Sequence, residues 1–421
     1  MKQTILSCFL MAGICSAEMP GIDGNQLIFS SATFSVPDNP PVQVKGEKLM
    51  LAKTVPAGFH RGTKLAGPRA AKINASGSLI EDSLVLRKAD GTVLQKGTDY
   101  LISAPFALLG KPEGSSVADR EPVFADYSYS VRRLDSVVAD SSGTLRYLTG
   151  TPGVAAVKPP ELPAGWTTVL NVYRPYGAET VEQEHLFPNL GNEAETGTTA
   201  GRIPETLRKL RAGENVSVVC WGDSVTVGAD VKDQSRIYAV RFERMLKEKF
   251  PKADITVHNI SVGSSQSPRW LNNWINHVPA SKNGGMDFGR VLDCKPDLVT
   301  LEFVNDAGLN PSVLPGYYEK ILSEIRSAGA ELILITPHFT HPDLMGGQGL
   351  RFRDERPYTA FLRSFVAENR IALADASSRW ENVWKTGIPY VTLLANSYNH
   401  PDGRGHAFFA EELIKCFKDS E

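Results

Sequence analysis

The sequence predicts two fold classes in one chain: an all-β module followed by an α/β domain built on a parallel sheet. Three observations carry this. From about Asn25 to Pro188, short alternating apolar and polar runs are broken by turn residues, the period of two expected of strands with one buried face. After Arg202, short apolar runs alternate with amphipathic stretches of helical spacing, as repeated βαβ units require. Finally, 421 residues with 42% apolar content exceed one typical domain of roughly 100–200 residues and suffice to fill two cores.

The chain opens with Lys2, an apolar run Ile5–Cys15 and a small-x-small site Cys15-Ser16-Ala17, which predicts a secretory signal peptide over 1–17 cleaved before Glu18. Export to the periplasm or the extracellular space follows as an expectation. No later run reaches the 18 or so apolar residues of a membrane span. Loss of Lys2 moves the formal charge from -2 to -3. The whole chain carries 45 Lys+Arg against 47 Asp+Glu without a basic block, which argues against nucleic acid or an anionic membrane surface as partner. The low net charge and 9% aromatic content argue against disorder.

Residues 18–190 are expected to form the β-rich accessory module. Within it, Leu84–Leu94 holds the hairpin signal Asp90-Gly91, Tyr127, Tyr129 and Val131 alternate with Ser128 and Ser130, and Ser141-Ser142-Gly143 turns the chain into Thr144–Leu148. Residues 191–201, Gly-, Glu- and Thr-rich, are the expected linker. In the α/β domain, 202–421, the strand-like runs are Val216–Trp221, Ile255–Ile260, Leu298–Val304, Leu332–Thr336 and Ile371–Ala374. Tyr318, Ile321, Leu322 and Ile325 share a helical face, as do Phe361, Leu362, Phe365 and Val366. Cys220, Cys294 and Cys416 are too few and too far apart for a disulfide framework or a zinc site and are expected as buried thiols, with no metal and no cofactor implied.

In a parallel sheet covered on both faces, functional groups gather at the carboxyl ends of the strands. The first strand runs into Gly222-Asp223-Ser224, where Gly222 permits a tight turn and Ser224 presents a hydroxyl. A Gly-Asp-Ser triplet alone arises by chance in about one chain in ten of this length, so its position carries the weight. The second strand ends at Ser261-Val262-Gly263, whose glycine offers an unobstructed N–H. The third ends at Asn305-Asp306, which adds a side-chain amide. His400-Pro401 and Gly405-His406 precede a final helix with Phe409, Leu413 and Phe417 on one face. A hydroxyl nucleophile, amide donors and an imidazole base thus stand in chain order.

That order resembles the SGNH (GDSL-like) hydrolase superfamily, its carbohydrate-esterase-like members included, over about Asn215 to Phe417. The resemblance implies a flavodoxin-like three-layer parallel sheet, with Ser224 as nucleophile, His400 as base, and the Ser224 N–H, Gly263 and Asn305 as oxyanion donors. Two positions depart from the family pattern. Phe303 replaces the glycine of Gly-x-Asn-Asp, and Ser397 replaces the aspartate three residues before the histidine. The group orienting His400 is therefore left open among the Ser397 hydroxyl, the Asn396 amide, a backbone carbonyl, or nothing.

Other residues have two readings. Asp223, Asp306 and His338 are candidates for substrate contact, against loop bracing for the aspartates and a solvated loop position for His338 and its neighbour His341. His406 is expected to be structural. Trp270 and Trp274, four apart, suit either a sugar platform or helix packing. The resemblance implies a carboxylic ester hydrolase forming an acyl-enzyme on Ser224, with an acetylated saccharide or small ester as substrate. The alternatives are a glycan- or surface-binding β-module whose hydrolase half is degenerate, and a lipase-type hydrolase of the same superfamily.

Overall fold

The computed structural model describes residues 18–191, 196–272 and 285–418, so the expected signal peptide and Trp274 lie outside the described residues. The chain divides into two compact units. The first comprises residues 1–193 together with 383–392 and 396–398, and the second comprises 194–382, 393–395 and 399–421.

The first unit is made of antiparallel sheets. Pro122–Tyr129 pairs on either side with Val42–Met50 and Leu79–Arg87, and Val123, Ala125 and Tyr127 point into its core, as their alternation predicts. Arg133–Ala139 lies between Leu145–Leu148 and Thr167–Arg174, with Leu186–Pro188 beyond, and is buried at every position. The Asp90-Gly91 turn forms, with Gly91 at a φ of 90° and Asp90 accepting the Thr92 N–H. Its second run, however, returns only one bridge, Arg87 to Val93. Residues 383–392 join this unit through backbone pairing: Asn189 bridges Thr386, and the Leu190 N–H reaches the Lys385 carbonyl at 2.7 Å.

The second unit carries a five-stranded parallel sheet in the order Asp254–Ser261, Asn215–Gly222, Leu298–Glu302, Glu331–Ile335, Ala372–Ala374. This is the flavodoxin-like order, in which connections diverge to opposite sides between the first and third strands of the chain and leave a crevice at their carboxyl ends. Alternate residues feed two cores. Val219, Trp221, Val299 and Leu301 face the helices Leu314–Ser327 and Pro357–Asn369, while Val218, Cys220, Leu298 and Ile333 face Tyr238–Lys249 and Gly403–Lys415. Each observed strand lies within two residues of its predicted ends. Cys220, Cys294 and Cys416 are free thiols.

The described part of the expected linker is not loose. The Thr199 N–H bonds the Leu373 carbonyl at 3.0 Å, the Thr199 hydroxyl takes the Leu373 N–H, and the Thr198 hydroxyl takes the Asp375 N–H. Small hydroxyl residues thereby satisfy the exposed edge strand, which would otherwise present unpaired backbone groups.

Candidate active site

Ser224 is the first residue of a single helical turn, Ser224–Val227, opened directly by the strand Asn215–Gly222. The turn is tight because Gly222 has no side chain. A Cβ there would lie 2.1 Å from the Thr226 hydroxyl and 2.2 Å from the Glu302 carbonyl oxygen. Asp223 caps the turn, its carboxylate accepting the Val225 N–H at 2.9 Å and the Asn305 N–H at 3.0 Å. One buried side chain therefore fixes the nucleophile segment and the Asn305 segment to each other.

His400 sits in a loop closed by an antiparallel bridge between Leu394 and Pro401 and by the Ala395 N–H on the His400 carbonyl at 2.7 Å. Its Nε2 lies 2.9 Å from the Ser224 Oγ. Its Nδ1 lies 2.6 Å from the Asp230 Oδ2, and the Asp230 side chain is 2% exposed. The side chain on His400 Nδ1 is thus a carboxylate 170 residues upstream. The turn is closed by Gly228 at a φ of 76° and continues into Asp230 at 65°, a left-handed conformation that Asp tolerates better than most residues. The expectation for Asn396 and Ser397 is corrected accordingly: Asn396 Oδ1 accepts the Tyr398 N–H at 2.9 Å, and the buried Ser397, at a φ of 62°, has its Oγ 3.4 Å from the Tyr176 hydroxyl.

Of the predicted oxyanion donors, Gly263 lies beside Ser224, and Asn305 is tied to the Ser224 segment through Asp223. As the first residue of its turn, Ser224 has an N–H without an intrahelical partner. Gly263 is near enough that a Cβ built on it would stand 3.8 Å from the Ser224 Cβ. Asn305 is anchored at three points. Its N–H is on Asp223, its carbonyl accepts from Gln266 Nε2 at 2.9 Å, and one hydrogen of its amide goes to the Ser265 carbonyl at 3.1 Å. The second amide hydrogen remains to donate.

The three candidate substrate contacts prove to be internal braces. Asp223 and Asp306 are fully buried, and Asp306 accepts the N–H and hydroxyl of Ser267 and the Tyr318 hydroxyl. Burial pushes the Asp306 carboxyl up to about 6. His338 is fully buried too, held 2.9 Å from the Asn399 carbonyl through Nε2, so it supports the residue before His400; burial pulls it down to about 3. His406 accepts the Tyr238 N–H and is structural, as expected. Trp270 is buried edge-on against Trp221 at 5.7 Å, which is core packing. Beneath the nucleophile lies Glu302, fully buried and unforeseen. It accepts the Val304 N–H at 3.0 Å and faces the Thr226 hydroxyl at 3.3 Å. Burial, and then the charge of Asp223, push its carboxyl well above the usual range. Among the described residues no group of three or more His, Cys, Asp or Glu forms a metal-binding cluster.

The parallel sheet thus brings a serine, a histidine and an aspartate into line at its switch point. Residues 220–408 match the model of the GDSL-like lipase/acylhydrolase family. No curated protein matches the chain. Among solved structures, a two-domain esterase active on acetylated mannans is 19% identical, with 53% of this chain aligned to 54% of that one at a TM-score of 0.41. Axe2, an acetylxylan esterase from Geobacillus stearothermophilus, is 16% identical over 50% of this chain and 97% of its own, at 0.38. A lipolytic G-D-S-L family protein from Veillonella parvula is 17% identical over 48% and 97%, at 0.34. This chain therefore spans about half the length of the two-domain esterase. Among the described residues no helix is long and apolar enough to cross a membrane.

Proposed function

We propose that the protein is an exported serine esterase that removes acetyl groups from a carbohydrate through an acyl-enzyme on Ser224. The observation that carries this reading is the unbroken line from Ser224 Oγ through the His400 ring to Asp230, 2.9 and 2.6 Å in its two steps. A serine hydroxyl is a weak nucleophile until a base takes its proton during attack. His400 Nε2 accepts that proton as Oγ bonds to the ester carbonyl carbon, while Asp230, on the Nδ1–H, holds the required tautomer and stabilises the imidazolium. The oxyanion so formed is met by the Ser224 and Gly263 N–H groups and the free Asn305 amide hydrogen. Collapse expels the alcohol, protonated by His400, and leaves the acyl group on Ser224. Water activated by the same imidazole then releases the acid.

A degenerate hydrolase half is disfavoured by these contacts. The two departures that suggested it have local explanations: Asp230 stands where Ser397 left a gap, and Phe303 packs edge-on against Trp221 at 5.2 Å as part of the core. The saccharide rests on analogy with β-rich units joined to hydrolases, and export rests on the leader-like residues 1–17. Fluorophosphonate labelling followed by peptide mass spectrometry tests the mechanism. The label is expected on Ser224, with acetate release from an aryl acetate lost in Ser224→Ala and His400→Ala. Labelling at another serine overturns the assignment, and a panel of acetylated polysaccharides then tests the substrate class.

A further inference from the structure

Three arginines are buried in the first unit, and two of them hydrogen-bond through their guanidinium groups, although the Arg174 Nε has no partner. Arg133 is bidentate on Asp135 at 2.7 and 2.9 Å and donates to the carbonyls of Pro37 and Asp38. Arg174 donates to the Asn25 side chain and the Ala178 carbonyl. Arg132 is different. It is 5% exposed, yet its guanidinium makes no hydrogen bond among the described residues, and Nε and Nη1 are wholly buried without a partner. Its guanidinium carbon stands 4.2 Å from the centre of the Tyr176 ring, and the ionisable groups facing it are the phenols of Tyr173, Tyr176 and Tyr390. No carboxylate and no second cation is among them.

An unpaired guanidinium removed from water costs several kcal/mol, of which one cation–π contact returns about 2. Such a group adds nothing to the fold that an apolar side chain of the same length would not add better. We propose that Arg132 is the charged centre of a carboxylate-binding site in the first unit, walled by Tyr173, Tyr176 and Tyr390, and that its ligand is the carboxylate of an acidic sugar. One cation with no neighbour matches a monoanion and not a phosphate dianion. The planar guanidinium matches the planar carboxylate, and five donors remain to be used. Tyr176, which is only partly buried, adds a flat apolar ring face suited to a sugar ring. Tyr176 is fixed for this, its hydroxyl donating to the Val154 carbonyl and lying 3.4 Å from the Ser397 Oγ. Only the choice of a sugar rests on the proposed function; the carboxylate site does not.

Calorimetry and thermal shift on the full chain test this at constant ionic strength with galacturonate, acetate and galactose. Galacturonate is expected to bind saturably and raise Tm, and galactose to do neither. Arg132→Met should abolish binding without destabilising the unliganded protein, because it removes an unpaired buried charge. Arg132→Lys keeps a charge without the planar fork and should bind about tenfold more weakly. No saturable binding of either carboxylate, or equal binding by Arg132→Met, overturns the site. If Arg132→Met does not fold, equal affinity in Arg132→Lys overturns it. Acetate binding as tightly as galacturonate overturns the sugar. Aryl acetate turnover, read separately, is unaffected by the fate of this site, so an inactive protein that binds galacturonate refutes only the esterase reading.

Discussion

Replacing Asp230 with Asn isolates what the carboxylate does for His400. Asn is nearly isosteric and is at home at a φ of 65°, so the backbone of the turn is not strained by the change. Two losses are expected. The charge that faces the imidazolium disappears; with Oδ2 2.6 Å from Nδ1, the charge centres lie about 4 Å apart, worth ~4 kcal/mol at an effective dielectric of 20. That alone corresponds to roughly 10³ in rate. If the new amide presents its NH₂ to Nδ1, the ring proton moves to Nε2, which then cannot accept from Ser224, and the loss approaches ~10⁴. The assay is kcat/KM on an aryl acetate, with circular dichroism to show the fold intact. A folded Asp230→Asn protein within about tenfold of the parent would refute the reasoning, since neither the charge nor the tautomer would then matter.

Asn305→Ala should lower kcat by roughly 10²–10³ with KM little changed, because an oxyanion donor acts chiefly in the transition state; a raised KM at constant kcat would make it a ground-state contact. Gly263→Ala should keep activity within about tenfold, since its Cβ meets only ordinary contact at 3.8 Å and the N–H is retained, whereas Gly222→Ala, with contacts of 2.1 and 2.2 Å, should fail to give stable protein. Glu302→Gln should be more stabilising the higher the pH. A carboxyl raised above its unfolded value stabilises fully below about pH 4.3 and loses that contribution as pH climbs towards its folded value, so the gain in Tm over the parent should be at least about 3 °C larger at pH 8.5 than at pH 5. A gain that does not grow with pH would mean that Glu302 is ionised in the folded protein.

The residues at strand ends were legible because apolar runs announce a parallel sheet and the sheet says where its site lies. The places of Ser224, Gly263 and Asn305 follow from that logic, while their expected roles and that of His400 rest on the resemblance to the SGNH superfamily. Asp230 was not, because its pairing joins positions 170 residues apart through a left-handed turn that leaves no periodic trace. His338 illustrates a different limit. Its position after a strand was correct, but position does not say whether a ring turns to solvent or, as here, inward to a loop carbonyl. The sequestration of residues 383–392 and 396–398 into the first unit was equally hidden, since it rests on backbone pairs such as Asn189 with Thr386.

The two buried acids beneath the nucleophile can be told apart by what they touch. Asp223 receives backbone N–H groups on both oxygens; burial pushes its carboxyl up to about 7 and these two bonds hold it from rising further. Glu302 receives one N–H on Oε1, but its Oε2 faces the Thr226 hydroxyl, which can give or take a proton and lies 2.9 Å from the Tyr238 hydroxyl. Burial is the largest cause raising each carboxyl, and at Glu302 the charge of Asp223 adds to it. Of the two, Glu302 is the one that faces a hydroxyl. Asp223 clamps Val225 to Asn305, while Glu302 holds the Val304 N–H and accepts from the Thr226 hydroxyl within the Ser224 turn. The same two segments, one carrying Ser224 and the other Asn305, are thus tied twice, once by each acid. That is how this chain fixes its reacting groups in place before a substrate arrives.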